Sequence, residues 1–98
     1  MNVSIQSLHF DASAKLQEFA NKKITKLSQY VDGATAVEVV MRVVKSDERS
    51  NKEVSVKYLL PDAELFASKQ TDTFESALVL CVEALQKQIA KYKDKKAS

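Results

Sequence analysis

The sequence predicts an α+β fold with the element order βαβββα, a four-stranded mixed sheet with two helices packed on one face. Three observations predict it. Apolar residues recur at spacings of three and four in two separate stretches, from Leu16 to Val31 and from Phe74 to Tyr92. Between them lie TAVEVVMRVVK (35–45) and KEVSVKYLL (52–60), both rich in β-branched residues. The single glycine, Gly33, and the single proline, Pro61, fall at the joints between these stretches.

The elements follow in order. Val3 and Ile5 alternate with polar neighbours, which predicts a first strand ending near Leu8. Asp11 and Ser13 are candidate caps for the first helix, whose apolar stripe is Leu16, Phe19, Ala20, Ile24, Leu27, Tyr30 and Val31 and which should stop at Asp32-Gly33. The two β-branched runs, separated by the polar SDERSN, predict a hairpin with Val37, Val39, Met41 and Val43 on one face and Glu38, Val40, Arg42 and Val44 on the other. Pro61-Asp62 turns the chain into a shorter strand, AELFASK (63–69). An Asp-x-x-Glu capping box at Asp72 and Glu75 then opens the second helix, with Phe74, Ala77, Leu78, Cys81, Leu85, Ile89 and Tyr92 as its stripe. A helix between the first two strands requires a crossover, whereas the last three strands can meander as antiparallel neighbours.

At 98 residues the chain has room for one domain, spanning 1–98, with its last few residues expected to fray. The longest apolar run, ALVLCV at 77–82, is too short to span a bilayer, and MNVSIQSLHF lacks the pattern of a secretory signal. A single Cys81 allows no internal disulfide, so a cytoplasmic location is expected. Reactive groups are scarce: His9 is the only histidine, and Cys81 falls on an apolar stripe where a thiol is inert. No set of ligands at metal-binding spacing is present, and one glycine excludes a phosphate-cradling loop. The expectation is therefore no enzyme, with no cofactor, no metal and no small-molecule substrate.

The charge is unevenly spread. Although the formal net charge is only +2, residues 15–30 carry four lysines against one glutamate and residues 87–98 carry five lysines against one aspartate. At about 100° per residue, Lys15, Lys22 and Lys26 fall within about 40° of one another on the outer side of the first helix, while Lys23 projects into its apolar sector. Its stem must lie on packed surface with the ammonium reaching out at the edge. On the second helix Lys87, Lys91 and Lys95 follow at steps of four, which suggests a cationic rail facing the lysines of the first helix; Lys93 and Lys96 point elsewhere. Solvated faces explain either stripe taken singly. Two stripes bordering one groove suit a phosphate backbone, and structured RNA fits better than duplex DNA because there is no recognition helix that presents Arg, Asn or Gln to base edges.

The segments LQEFANKKITKLSQYVD (16–32), VEVVMRVVK (37–45), ELFAS (64–68), DTF (72–74) and QKQIAKYKDK (86–95), in this order and spacing, resemble the bacterial ribosome hibernation-promoting factors and the related ribosome-associated inhibitors of translation. The resemblance implies a fold similar to the double-stranded RNA-binding domain and a basic body lodged in the mRNA and tRNA channel of the small ribosomal subunit, against 16S rRNA. It implies inhibition of translation under stress or in stationary phase. Matched to the family's basic positions are Lys23 and Lys26, Arg42 and Lys45, and Lys87, Lys91, Lys93 and Lys95; with Lys22 from the helical stripe they form the candidate RNA-binding set. The family commonly reads Lys-Leu-x-Arg-Gln-Leu where this chain has Ala84-Leu85-Gln86-Lys87-Gln88-Ile89, so a forked arginine is replaced by the point charge of Lys87. By its length the chain resembles the short type, expected to be monomeric when free. Two other readings stand beside this one: a protein-interaction module docking through the open sheet face with Val40, Val44 and Leu59, and a general binder of double-stranded RNA.

Overall fold

A computed structural model describes residues 2–8, 10–27, 29, 33–44 and 50–97, the side chains of Lys96 and Ala97 excepted. Its elements are β1 (Asn2–Leu8), α1 (Ala14–Leu27), β2 (Ala36–Val43), β3 (Lys52–Leu60), β4 (Ala63–Thr71) and α2 (Phe74–Ala97), in the predicted order βαβββα. The sheet order is β1-β2-β3-β4, with β1 and β2 parallel and the other two pairings antiparallel. One row runs from Ile5 through Val39 and Val56 to Ala67. All four belong to the face the helices cover.

Alternation in the strands and the three-four spacing in the helices meet in one core. From α1 come Leu16, Ala20, Ile24 and Leu27; from the sheet Val37, Val39, Met41, Val54, Val56, Tyr58, Leu60 and Ala67. From α2 come Phe74, Ala77, Leu78, Cys81, Val82, Leu85 and Ile89. Burial of these side chains, at roughly 25 cal/mol per Å² of apolar surface, is the main force holding both helices on the sheet. Phe10, between β1 and α1, stacks on Phe74 at 4.3 Å between ring centroids, so the two helices start side by side. Among the described residues no helix is long and apolar enough to cross a membrane.

Three boundaries differ from the sequence reading, each for a local reason. The helical span of α1 ends at Leu27, with the Gln29 N–H donating to the Lys26 carbonyl at 3.1 Å, so the helix stops well before Asp32-Gly33. The chain must by then turn back to Thr35, whose N–H donates to Leu59 O at 2.9 Å and whose carbonyl accepts from Asn2 N at 3.2 Å. Tyr30, Val31 and Asp32 lie outside the described residues, as does His9. Gly33 has φ of +91°, a conformation that a side chain would strain. Strand β4 continues to Thr71, beyond the predicted end, because β3 is long enough to pair Glu53 with Gln70 and Lys52 with Thr71. The cap of α2 is Thr73 instead of Asp72: its Oγ1 accepts the Ser76 N–H at 3.1 Å and its carbonyl the Ala77 N–H at 3.1 Å. That register leaves Glu75 one position short of where a capping box needs it. Ser13 caps α1 as predicted, its Oγ accepting the Leu16 N–H at 3.1 Å.

Two ionisable groups sit in this core. The Cys81 thiol donates to Val54 O at 3.3 Å, and burial pushes its pKa up from 9.0 to about 11. Burial also raises that of the Tyr58 phenol, whose hydroxyl has no partner among the described residues. For an acid whose folded pKa lies above its unfolded value, the unfolded chain releases the proton first as pH rises. Stability should therefore be level below pH 9 and fall between 9 and about 11 on account of Cys81, which urea midpoints across that range measure and Cys81→Ala diminishes. Tyr58→Phe keeps the ring and removes the unpaired hydroxyl, so it should match or exceed the parent stability by about 1 kcal/mol. A clearly lower midpoint would show that the hydroxyl is paired.

Candidate nucleic-acid interface

Strand β4 runs parallel to β1 and β2, and each helix doubles back along the sheet, so α1 and α2 point the same way. For α2 the reversal is visible in its contacts: Gln88 meets Phe66, and four residues later Tyr92 meets Asp62. At about 1.5 Å per residue, the 24 residues of α2 reach roughly 15 Å beyond the 14 of α1. The lysine-bearing ends of both helices thus lie toward one end of the molecule.

On α1, the flank carrying Gln17 and Asn21 borders Val3 and Ile5 of the edge strand β1. The opposite flank, with Phe19 and Lys23, faces α2. Lys22 and Lys26 are exposed, while Lys23 is half-buried with its Nζ 5.5 Å from the Phe19 ring centroid. The stem of Lys23 lies on packed surface and its ammonium over an aromatic face, which accounts for a charge inside an apolar sector.

On α2 the single rail does not form. Steps of four residues advance about 400° around a helix, so each lysine of the row is turned by about 40° from the one before. Lys87 points outward, but Lys91 and Lys95 have come round to the β4 flank, where they border a cleft with Asp62, Leu65, Gln88 and Tyr92. That flank is turned away from α1. Lys93, which looked displaced from the row, lies on the side nearer α1. All four are exposed. The helical span of α2 runs to Ala97.

Arg42 is not brought together with the helix lysines. It lies on the open face of the sheet and is ion-paired with Glu53, directly opposite it on β3. On the same face the Lys57 ammonium stands 3.5 Å from Glu64 and 3.9 Å from Glu38. Lys45 lies outside the described residues. Of the apolar side chains read for this face, Val40, Val44 and Leu59 are half-buried, and the large apolar side chains it exposes are Phe66 and Leu8.

The sequence reading missed Gln88. Its amide accepts from the Phe66 N–H at 3.2 Å and donates to the Phe66 carbonyl at 2.7 Å, as a neighbouring strand would, and so covers part of the outer edge of β4. One turn later the Tyr92 hydroxyl donates to Asp62 at 2.6 Å. The available signal was spacing: residues 88 and 92 are four apart on one flank, a polar residue beside an apolar stripe.

The fold recurs in known proteins. A family model described as sigma 54 modulation protein / S30EA ribosomal protein matches residues 3–97. The chain belongs to that family. Among the relatives it resembles is the ribosome hibernation promoting factor of Escherichia coli K12, 30% identical over 95 residues, covering 97% of this chain and 96% of that protein. The one from Pseudomonas putida KT2440 is 24% identical over 98 residues, covering 100% of this chain and 92% of that protein. The fold is shared with a ribosomal subunit interface protein from Coxiella burnetii, at a TM-score of 0.84 and 21% identity over 96% of this chain and 99% of that one. It is shared too with the N-terminal domain of Protein Y from Thermus thermophilus, at 0.78 and 17% over 94% and 99%.

Within this family member, Gln88→Ala should expose both backbone groups of Phe66. The expected cost is about 1–2 kcal/mol in a urea titration, with faster amide exchange at Phe66 than at the β2–β3 ladder. Unchanged exchange at Phe66 would mean that the amide does not protect the edge.

Proposed function

We propose that this chain is a cytoplasmic ribosome-binding factor that inhibits translation without catalysing a reaction. In this reading it lies against 16S rRNA in the mRNA and tRNA channel of the small subunit, displacing both ligands from idle ribosomes in stress or stationary phase. The observation that carries the reading is the family match over residues 3–97, whose relatives are named ribosome hibernation promoting factors. The charge supports it. Lys22, Lys23, Lys26, Lys87 and Lys93 crown the helix side, and Lys91 and Lys95 continue round the projecting end of α2. Each phosphate met by a lysine releases condensed counterions, which gives tight binding indifferent to base sequence.

The helix side is the RNA-facing side in this proposal, and Arg42 remains engaged with Glu53. Co-sedimentation with small subunits over a salt series should show strong association at low salt and a steep decline as salt rises. Changing the exposed Lys22, Lys26 and Lys87 to glutamate should abolish association at about 100 mM salt while moving the thermal midpoint by no more than about 2 °C. Arg42→Ala should alter affinity by less than about threefold, since the guanidinium is held by its carboxylate partner. Wild-type protein that stays off small subunits at low salt would refute the reading. Binding that instead survives high salt and depends on Phe66 would favour docking through the open sheet face.

A further inference from the structure

The cleft between the last turns of α2 and the start of β4 has a volume of about 520 Å³, within the range of small-ligand sites. Its apolar lining is Ala63, Leu65 and the ring of Tyr92, whose hydroxyl is held by Asp62 at 2.6 Å. Its rim is cationic, formed by the exposed Lys91 and Lys95. Gln88 also borders it, but that amide is engaged with both backbone groups of Phe66. An aromatic ring beside aliphatic side chains suits a planar, largely apolar body, and the two lysines suit an anionic group attached to it.

We propose that this cleft receives one unpaired nucleotide of RNA, its base against Tyr92 and Leu65 and its phosphate between Lys91 and Lys95. The carboxylate of Asp62 repels a phosphate and the lysines attract one, which favours the lysine side of the cleft for the phosphate. A duplex cannot occupy the slot, because paired bases are held in their stack and only a splayed nucleotide presents a free face. The helix lysines would then follow phosphates at any sequence, while the cleft selects the places where the RNA strand is open. Tyr92 is accordingly a stacking residue, in addition to holding α2 to the β3–β4 turn.

This inference rests on the rRNA-binding reading, and the two are tested separately. The full chain is titrated with an unstructured hexaribonucleotide and with a short RNA duplex, and its association with small subunits is followed by sedimentation. Tyr92→Leu should weaken hexamer binding about tenfold, and Tyr92→Phe less than about threefold, with duplex binding unchanged in both. In the wild-type protein, nuclear magnetic resonance should show the Tyr92 ring and Leu65 methyl signals shifting upfield with the hexamer and not with the duplex, an arm that needs no variant to fold. Hexamer binding that leaves those signals unmoved, or Tyr92 variants that weaken hexamer and duplex equally, would overturn the cleft proposal. Failure of the wild-type protein to associate with small subunits would instead overturn the ribosomal reading.

Discussion

The parallel pairing of β1 with β2 is the constraint on which the remaining architecture depends. Parallel neighbours cannot be joined by a tight turn, so the chain must recross the sheet, and α1 is that crossing. Two antiparallel pairings then bring β4 into the same direction as β1, and the helix that doubles back from β4 must lie parallel to α1. Helix direction decides where charge gathers. Both C-terminal ends lie toward one end of the molecule, where each helix carries a partial negative charge of about half an elementary unit. Lysines there meet a favourable field, which offsets part of the repulsion of assembling them.

The same sheet keeps its other face nearly neutral. Arg42 is matched by Glu53, and Lys57 stands between Glu38 and Glu64, so among the described residues three carboxylates face two cations where no helix covers the strands. A chain of formal net charge +2 can therefore, among its described residues, gather positive charge on its helix side. One-sidedness orients approach to a polyanion, because the far side offers little attraction and would compete poorly for the same phosphates.

How much of this was legible in the sequence depends on how local each cause is. Strand β3 matches the run KEVSVKYLL at both ends, because alternation and bounding turn residues act within the segment. The oddity of Lys23 was legible too, since a lysine in an apolar sector has to lay its stem on packed surface, and it does so beside Phe19. The flank that Lys91 and Lys95 occupy was not. A row at steps of four looks straight on a sequence, but whether its drift carries it toward α1 or toward β4 is decided by which element packs on each side. Arg42 likewise looks like a free cation until the hairpin register sets Glu53 opposite it. The one-residue shift of the α2 cap from Asp72 to Thr73 turned on which carbonyl accepts the first helical bond, and both residues carry a capping oxygen.

Gln88 and Tyr92 connect these observations. The projecting half of α2 lies beyond the end of α1, so contacts to β4 and to the turn before it must hold the helix there. Two polar residues one turn apart do so: an amide that fastens to the backbone of Phe66 and a phenol that fastens to Asp62. Lys91 follows Gln88 by three residues, and Lys95 follows Tyr92 by three, so each of these cations stands about one turn beyond an anchored side chain. Long lysine side chains remain mobile in their outer bonds, and only the Cα from which each one starts can be fixed by the fold. Fixing that origin confines the ammonium to a smaller volume near its partner and reduces the entropy lost on contact. The chain thus uses hydrogen bonds to the sheet edge and to the β3–β4 turn to fix the backbone from which these lysines project.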